Sequence, residues 1–309
     1  MFTLAHLSDP HIGPLPDTQI GELLNKRILG FLSWTLRRQS LYVTPVLEAL
    51  AKDMAAAAPD HIAVTGDIVN ISLPGEFDHA TSWIGSLGPS DKVTVIPGNH
   101  DAYIALDWRQ TIGQWAAYMA NTDLRNGSAV ETALKGETEF PFVRLRGDVA
   151  LVGVSTACPT PPGFAGGTIG ERQMAALKEK LVALGNRGLC RVVMLHHPPF
   201  GDPKHRRKEL TDYEAFRACI QTAGAELILH GHTHKSGLTK LPTPAGHAPV
   251  VGVPAASSRG DHNGEDHSRY HLYRIARDGP GWRIETEVRG VTASLDKFAN
   301  EATFTLAVP

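Results

Sequence analysis

Short apolar runs recur along the chain, and each is followed by a polar cluster. Residues 2–8 (FTLAHLS), 61–66 (HIAVTG), 92–97 (KVTVIP), 149–155 (VALVGVS), 190–195 (CRVVML) and 226–230 (ELILH) are rich in Val, Ile and Leu. Runs of this length that end at Gly, Pro or polar residues predict buried strands. Between them, residues 43–57, 76–87, 107–120, 171–184 and 211–223 carry helical spacing, the first stopping ahead of Pro59. Alternation of this kind predicts an α/β fold with helices on the sheet faces. After residue 249 the pattern changes to strands at 249–253, 270–276 and 282–288 with Gly-rich turns. The stretch 257–269 between them is polar and is expected at the surface. No internal repeat or low-complexity linker divides the 309 residues, so 1–309 is read as a single domain.

Composition narrows the class. The chain is 42% hydrophobic and 20% charged, enough to bury a sizeable core. Its net charge of −2 removes global positive charge as a reason to expect nucleic-acid binding. Three cysteines, Cys158, Cys190 and Cys219, are too few for a disulfide scaffold. The N-terminus MFTLAHLSDP lacks a secretory pattern, so a cytoplasmic location is expected. Fifteen histidines make the placement of imidazoles informative.

That placement is ordered. The first strand ends in Asp9-Pro10-His11. The second leads into Gly66-Asp67 with Asn70 just beyond, and the third into Gly98-Asn99-His100-Asp101. Later strands lead into His196-His197-Pro198-Pro199 and Gly231-His232-Thr233-His234. Open α/β sheets bind ligands outside the carboxyl ends of their strands, so these segments would deliver polar groups to one edge. Carboxylates, imidazoles and one amide are borderline-hard donors suited to Mn, Fe, Zn or Co. There are more of them than one tetrahedral ion needs, which suits two ions sharing a bridging carboxylate, roughly 3.5–4 Å apart. The glycines ahead of Asp67, Asn99 and His232 would let the backbone turn sharply. His6, His61 and His79 lie outside the motifs and read as core histidines; His197 and His230 fit that reading too.

DPH, GDIVN, GNHD, HHPP and GHTH, in this order, resemble the calcineurin-like metallophosphoesterase superfamily. GDIVN with LPGEF, IPGNHD and MLHHPPF resemble, more narrowly, bacterial glycerophosphodiesterases and class III cyclic-nucleotide phosphodiesterases. The resemblance implies a four-layer αββα sandwich of two mixed sheets, with residues 249–309 completing the second sheet. It implies that Asp9, His11 and His234 hold one metal, that Asn99, His196 and His232 hold the other, and that Asp67 bridges them. His100 would face the phosphate and leaving group as the catalytic acid, and Asp101 would orient its ring. The implied cofactors are two divalent or mixed-valence transition metal ions. The implied reaction is phosphodiester hydrolysis by hydroxide generated on those ions, acting on a small or lipid-linked diester. Phosphomonoester or pyrophosphate hydrolysis at the same centre is the alternative. A non-catalytic scaffold would be expected to have lost ligands, and none is missing here.

Substrate signals are weaker. Residues 20–39 (IGELLNKRILGFLSWTLRRQ) form a basic amphipathic segment. As a helix over 20–40 it fits a cap over the active-site mouth, a contact in a homo-oligomer, or a peripheral contact with an anionic membrane; cap or packing is favoured. The basic run Lys204-His205-Arg206-Arg207-Lys208 follows HHPP and fits either a solvated turn or an anion grip. His197 and Arg206 are therefore expected to contact substrate.

Overall fold

The computed structural model describes residues 1–125, 128–201, 206–260 and 264–309. In chain order the strands are β1 (Phe2–Leu7), β2 (His61–Val64), β3 (Val93–Val95), β4 (Ala120–Arg125), β5 (Ser128–Ala133), β6 (Phe142–Arg146), β7 (Val149–Gly153), β8 (Cys190–Met194), β9 (Leu227–His230), β10 (Gly237–Thr243), β11 (Gly246–Gly252), β12 (Arg269–Asp278), β13 (Gly281–Val291) and β14 (Phe298–Leu306). The helices are α1 (Arg27–Ser33), α2 (Gln39–Leu41), α3 (Thr44–Ala57), α4 (Pro74–Leu87), α5 (Glu171–Asn186) and α6 (Tyr213–Ala223).

The long strands form two mixed six-stranded sheets. In the first, β1, β2 and β3 run parallel, and β12, β13 and β14 extend from β1 as an antiparallel meander. In the second, β7, β8, β9 and β11 are parallel, with β6 and β10 antiparallel at its edges. Leu151, Val192, Met194 and Leu229 of the second sheet share one core with Leu4, Val64 and Val95 of the first, and with Leu50 of α3 and Phe77 of α4. Neighbouring positions Ala150, Val152, Val193 and Ile228 point the other way, onto Leu177 and Leu181 of α5 and Phe216 and Ile220 of α6. The period-2 alternation of a strand thus sorts its residues between two apolar layers, which yields the αββα sandwich. Because both faces are covered, the inner strands are apolar throughout.

The tail departs from expectation. Of residues 249–309 only 249–252, the end of β11, join the second sheet; β12, β13 and β14 extend the first, against β1. Antiparallel strands need no crossover helix, so the meander closes onto whichever sheet has a free edge. Strands β4, β5, β6, β10 and β14 carry no strong apolar run. In β14 the side chains from Ala299 to Thr303 are all exposed, as fits an edge strand. The helix expected over 107–120 is instead two tight 3₁₀ stretches, Trp108–Gln110 and Ile112–Tyr118. A side chain at Gly113, in the second of them, would strike the Trp108 carbonyl and indole.

Residues 20–40 also differ from a single helix. A 3₁₀ turn at Ile20–Leu23 leads to α1, then a π-helical turn at Trp34–Arg38, then α2. The segment is pinned from below. Arg27 is buried and donates to the carbonyls of Ile71 (3.1 Å) and Ser72, and Trp34 packs among Leu41, Tyr42 and Ala255.

Candidate metal centre

Each motif sits where its strand ends. Asp9 and His11 follow β1, Asp67 follows β2, Asn99 and His100 follow β3, His196 follows β8, and His232 and His234 follow β9. Eight non-glycine residues in the described chain have left-handed backbone, and five of them are Asp9, His11, Asp67, His232 and His234. Such conformations cost on the order of 1–3 kcal/mol each and persist where surrounding structure enforces them. The turns aim successive side chains inward instead of alternating them. Of the preceding glycines, Gly66 supplies a positive φ of 93°. Gly231 serves close approach instead: a Cβ there would strike Ser8 and the Asp9 carboxylate.

The side chains converge as two groups. In one, His234 Nε2 lies 3.2 Å from Asp9 Oδ1 and 3.3 Å from His11 Nε2. In the other, His196 Nε2 lies 3.2 Å from Asn99 Oδ1 and 3.3 Å from Asp67 Oδ2, with His232 completing the cluster. Asp67 Oδ2 also lies 4.0 Å from His11 Nε2, so this carboxylate stands between the groups.

The far ring nitrogens are engaged in the way metal ligation requires. His196 Nδ1 donates to the Thr65 carbonyl (2.7 Å), and His232 Nε2 donates to that of Lys208 (2.9 Å). His234 Nδ1 faces the Glu265 carboxylate (3.2 Å) and the Tyr42 hydroxyl (3.0 Å). In three imidazoles one ring nitrogen is thereby engaged away from the cluster, and the other faces it. The field is that of a cation site. Burial pushes His196 and His234 down, yet Asp67 raises the first to about 9, and Asp9 with Glu265 raises the second to about 9. Imidazole nitrogens, carboxylate oxygens and one amide oxygen in two adjoining groups fit two divalent transition ions.

A profile of calcineurin-like phosphoesterases matches residues 2–236. The chain belongs to the calcineurin-like phosphoesterase family. No curated protein matches it in sequence. In fold it is similar to a dimetal phosphatase from Danio rerio, at 13% identity and TM-score 0.59, over 97% of this chain and 98% of that one. It is also similar to the purple acid phosphatase PPD1 of yellow lupin (Lupinus luteus), at 11% identity and TM-score 0.61, over 98% of this chain and 53% of that one. Calcineurin-like phosphoesterases use a dimetal centre, and membership marks the chain as a metal-dependent phosphoric ester hydrolase.

Around this family centre the structure redistributes several roles. His100 stands beside it, with Nε2 4.0 Å from Asp67 Oδ2. Its Nδ1 donates to the Asn70 carbonyl, its ring stacks on Tyr103, and Arg38 Nη1 lies 3.1 Å from Nε2. The guanidinium competes there with any ion, although His100 also groups with His11 and Asp67 at ligating distance. Burial and then Arg38 lower His100 to about 3, with Asp67 opposing.

Asp101 does not orient that ring. Its Oδ1 accepts from the backbone N–H groups of Ile68 (2.9 Å) and Val69 (3.0 Å), and its Oδ2 from Gly98 (2.8 Å). It therefore ties the β2 loop to the β3 loop. Burial and the nearby Asp67 charge push its carboxyl up to about 7. Asp101→Ala would strand three buried donors, so it should destabilise the fold by about 3 kcal/mol or more. Thermal unfolding checks this: an unchanged Tm with lost turnover would restore a catalytic role.

His197 does not reach substrate either. It is fully buried, with Nδ1 2.7 Å from Thr156 Oγ1 and Nε2 3.1 Å from the Ala165 carbonyl. Its ring centroid lies 4.4 Å from that of His232. It braces the His232 ring and the 156–167 loop.

A cavity of about 800 Å³ opens over Asp67, Asn99, His100 and His232. Its wall carries Lys26, Arg37, Arg38, Arg206, Arg207 and Lys208. Arg206 thus lines the site, while Lys204, His205 and His262 lie outside the described residues. Three side chains here lie outside the five motifs, Arg38 among them belonging to the basic 20–39 segment. Tyr42 stacks on His11 (4.7 Å between centroids), Glu265 orients His234, and Arg38 faces His100. Glu265 comes from the polar 257–269 loop, whose flanking Ser257, Ser258 and Ser268 are buried instead of exposed.

Proposed function

We propose that this chain is a dimetal-dependent phosphodiesterase acting on a small or lipid-linked diester. The observation that carries the reading is the cationic cavity spanning the centre. It extends from Tyr42 and Glu265 on one side to Phe164 and Arg206 on the other, which leaves room for two ester arms around one phosphorus. The GDIVN, LPGEF and HHPPF segments support it by resemblance to glycerophosphodiesterases and class III cyclic-nucleotide phosphodiesterases.

Asp9, His11 and His234 would hold one ion; Asn99, His196 and His232 would hold the other; Asp67 would touch both. When bound, the ions neutralise the phosphate and supply a nucleophile at neutral pH. Arg38 contributes positive charge where the non-bridging oxygens develop theirs. His100 presents Nε2 to the cavity while Nδ1–H stays on the Asn70 carbonyl. Substrate anion and Asp67 favour its protonated form, burial and Arg38 oppose it, and once protonated it passes that proton to the leaving oxygen. The wall of six cations also fits a substrate with adjoining phosphates, which supports pyrophosphate hydrolysis as the second reading.

Metal-stripped protein should be inactive and regain turnover with Mn²⁺, Zn²⁺ or Co²⁺. Reloaded protein should prefer bis(p-nitrophenyl) phosphate to p-nitrophenyl phosphate by about tenfold in kcat/KM, roughly 1.4 kcal/mol of transition-state discrimination. The reverse preference would overturn the diester reading and leave the family chemistry standing.

A further inference from the structure

We propose that the outer face of residues 20–36 docks onto an anionic lipid bilayer. Among the described residues twelve large apolar side chains are exposed, and six of them lie in this one segment: Ile20, Leu24, Ile28, Leu32 and Leu36, which do not line the cavity, and Leu29, which does. Five recur at a spacing of four across the 3₁₀, α-helical and π turns of the segment. Ile20, Leu24 and Leu36 are 82%, 80% and 78% exposed. Clustered apolar surface of this kind marks an interaction face.

The face is held in place by the rest of the molecule. Arg27 and Trp34 are buried beneath it, Gly30 sits close against Ile71 and Tyr103, and Lys26 donates to Thr160 Oγ1 (2.8 Å). Residues 26–38, which overlap this segment, line the cavity through Lys26, Leu29, Gly30, Ser33, Arg37 and Arg38. Phe164, under the Arg207 guanidinium (5.3 Å), adds an exposed apolar group beside the segment, its carbonyl accepting from Lys26 Nζ (3.4 Å).

Charge selects the occupant. The chain as a whole carries −2, yet Lys26, Arg37, Arg38, Arg206, Arg207 and Lys208 concentrate around this mouth. An isologous contact between two copies would set these cations against one another. An apolar row beside a cationic rim instead matches a leaflet of acyl chains under anionic headgroups. No helix among the described residues is long and apolar enough to cross a membrane, so the segment would lie in the interface plane.

Vesicle flotation of the full chain tests this without reference to catalysis. The protein should float with vesicles containing phosphatidylglycerol, remain behind with pure phosphatidylcholine, and be released by high salt. Leu24→Asp with Leu36→Asp should weaken that partitioning about tenfold or more, with wild-type Tm and wild-type hydrolysis of soluble bis(p-nitrophenyl) phosphate. Arg37→Glu should weaken it independently and flatten the salt dependence. Failure to float with anionic vesicles, equal flotation with neutral ones, or a double variant that floats like wild type would each overturn the proposal. A wild-type dimer that the double variant converts to monomer, with no vesicle binding by either, would assign the face to a second copy.

Discussion

Asp67→Asn should lower kcat/KM on the order of 10³-fold and leave fewer than two metal ions per chain. The substitution keeps volume and removes one charge, so its effect isolates the electrostatics of the position. Asp67 uses both oxygens: Oδ1 accepts from the His100 backbone N–H (2.7 Å), while Oδ2 faces His196 (3.3 Å) and His11 (4.0 Å). Asparagine has one acceptor oxygen. Turned toward the His100 N–H, it presents an amide to the two clusters; turned toward the clusters, it sets two donors against each other at His100. The fold should survive, because the Asp67 charge contributes to pushing Asp101 up and its loss relieves that repulsion. Elemental analysis alongside kinetics decides the matter: two bound ions with near-wild-type turnover would show that Asp67 does not bridge.

The second large effect belongs to His100. His100→Ala should lower kcat by about 10²–10⁴-fold while both ions stay bound. Its Nδ1 is committed to the Asn70 carbonyl, and at Nε2, which groups with His11 and Asp67, Arg38 competes with any ion. The ring is nonetheless within 4.0 Å of Asp67 and lines the cavity, where a leaving oxygen would sit. Loss of one ion in this variant would make His100 a ligand and transfer the proton role elsewhere. Retained kcat with raised KM would reduce it to a substrate contact.

These two residues were legible because they belong to local patterns. An apolar strand followed by a short polar motif can be read within ten residues, and the order of five such motifs identifies the family. The left-handed turns that aim Asp9, His11, Asp67, His232 and His234 are local as well, although no propensity announces them at aspartate and histidine. Asp101 was legible only as a position. Its neighbours suggested a partner for the His100 ring, whereas the carboxylate binds three backbone amides, two of them more than thirty residues away in sequence. His197 illustrates the same limit: an imidazole next to a metal ligand reads as a candidate contact until packing shows both its nitrogens engaged by the 156–167 loop.

By itself, the sequence determined the alternation of strands and helices, the carboxyl-edge location of the chemistry and the donor set, because each depends on residues adjacent in the chain. The tertiary structure alone decided which sheet receives β12 to β14. It also decided that Tyr42 and Glu265 flank His234 from roughly 190 residues upstream and 30 downstream, and that Lys26, Arg37 and Arg38 line the cavity while Ile20, Leu24, Ile28, Leu32 and Leu36 stay exposed outside it. Those outcomes depend on contacts between segments far apart in the chain. No local propensity or spacing encodes which distant surfaces will meet once the two sheets have packed.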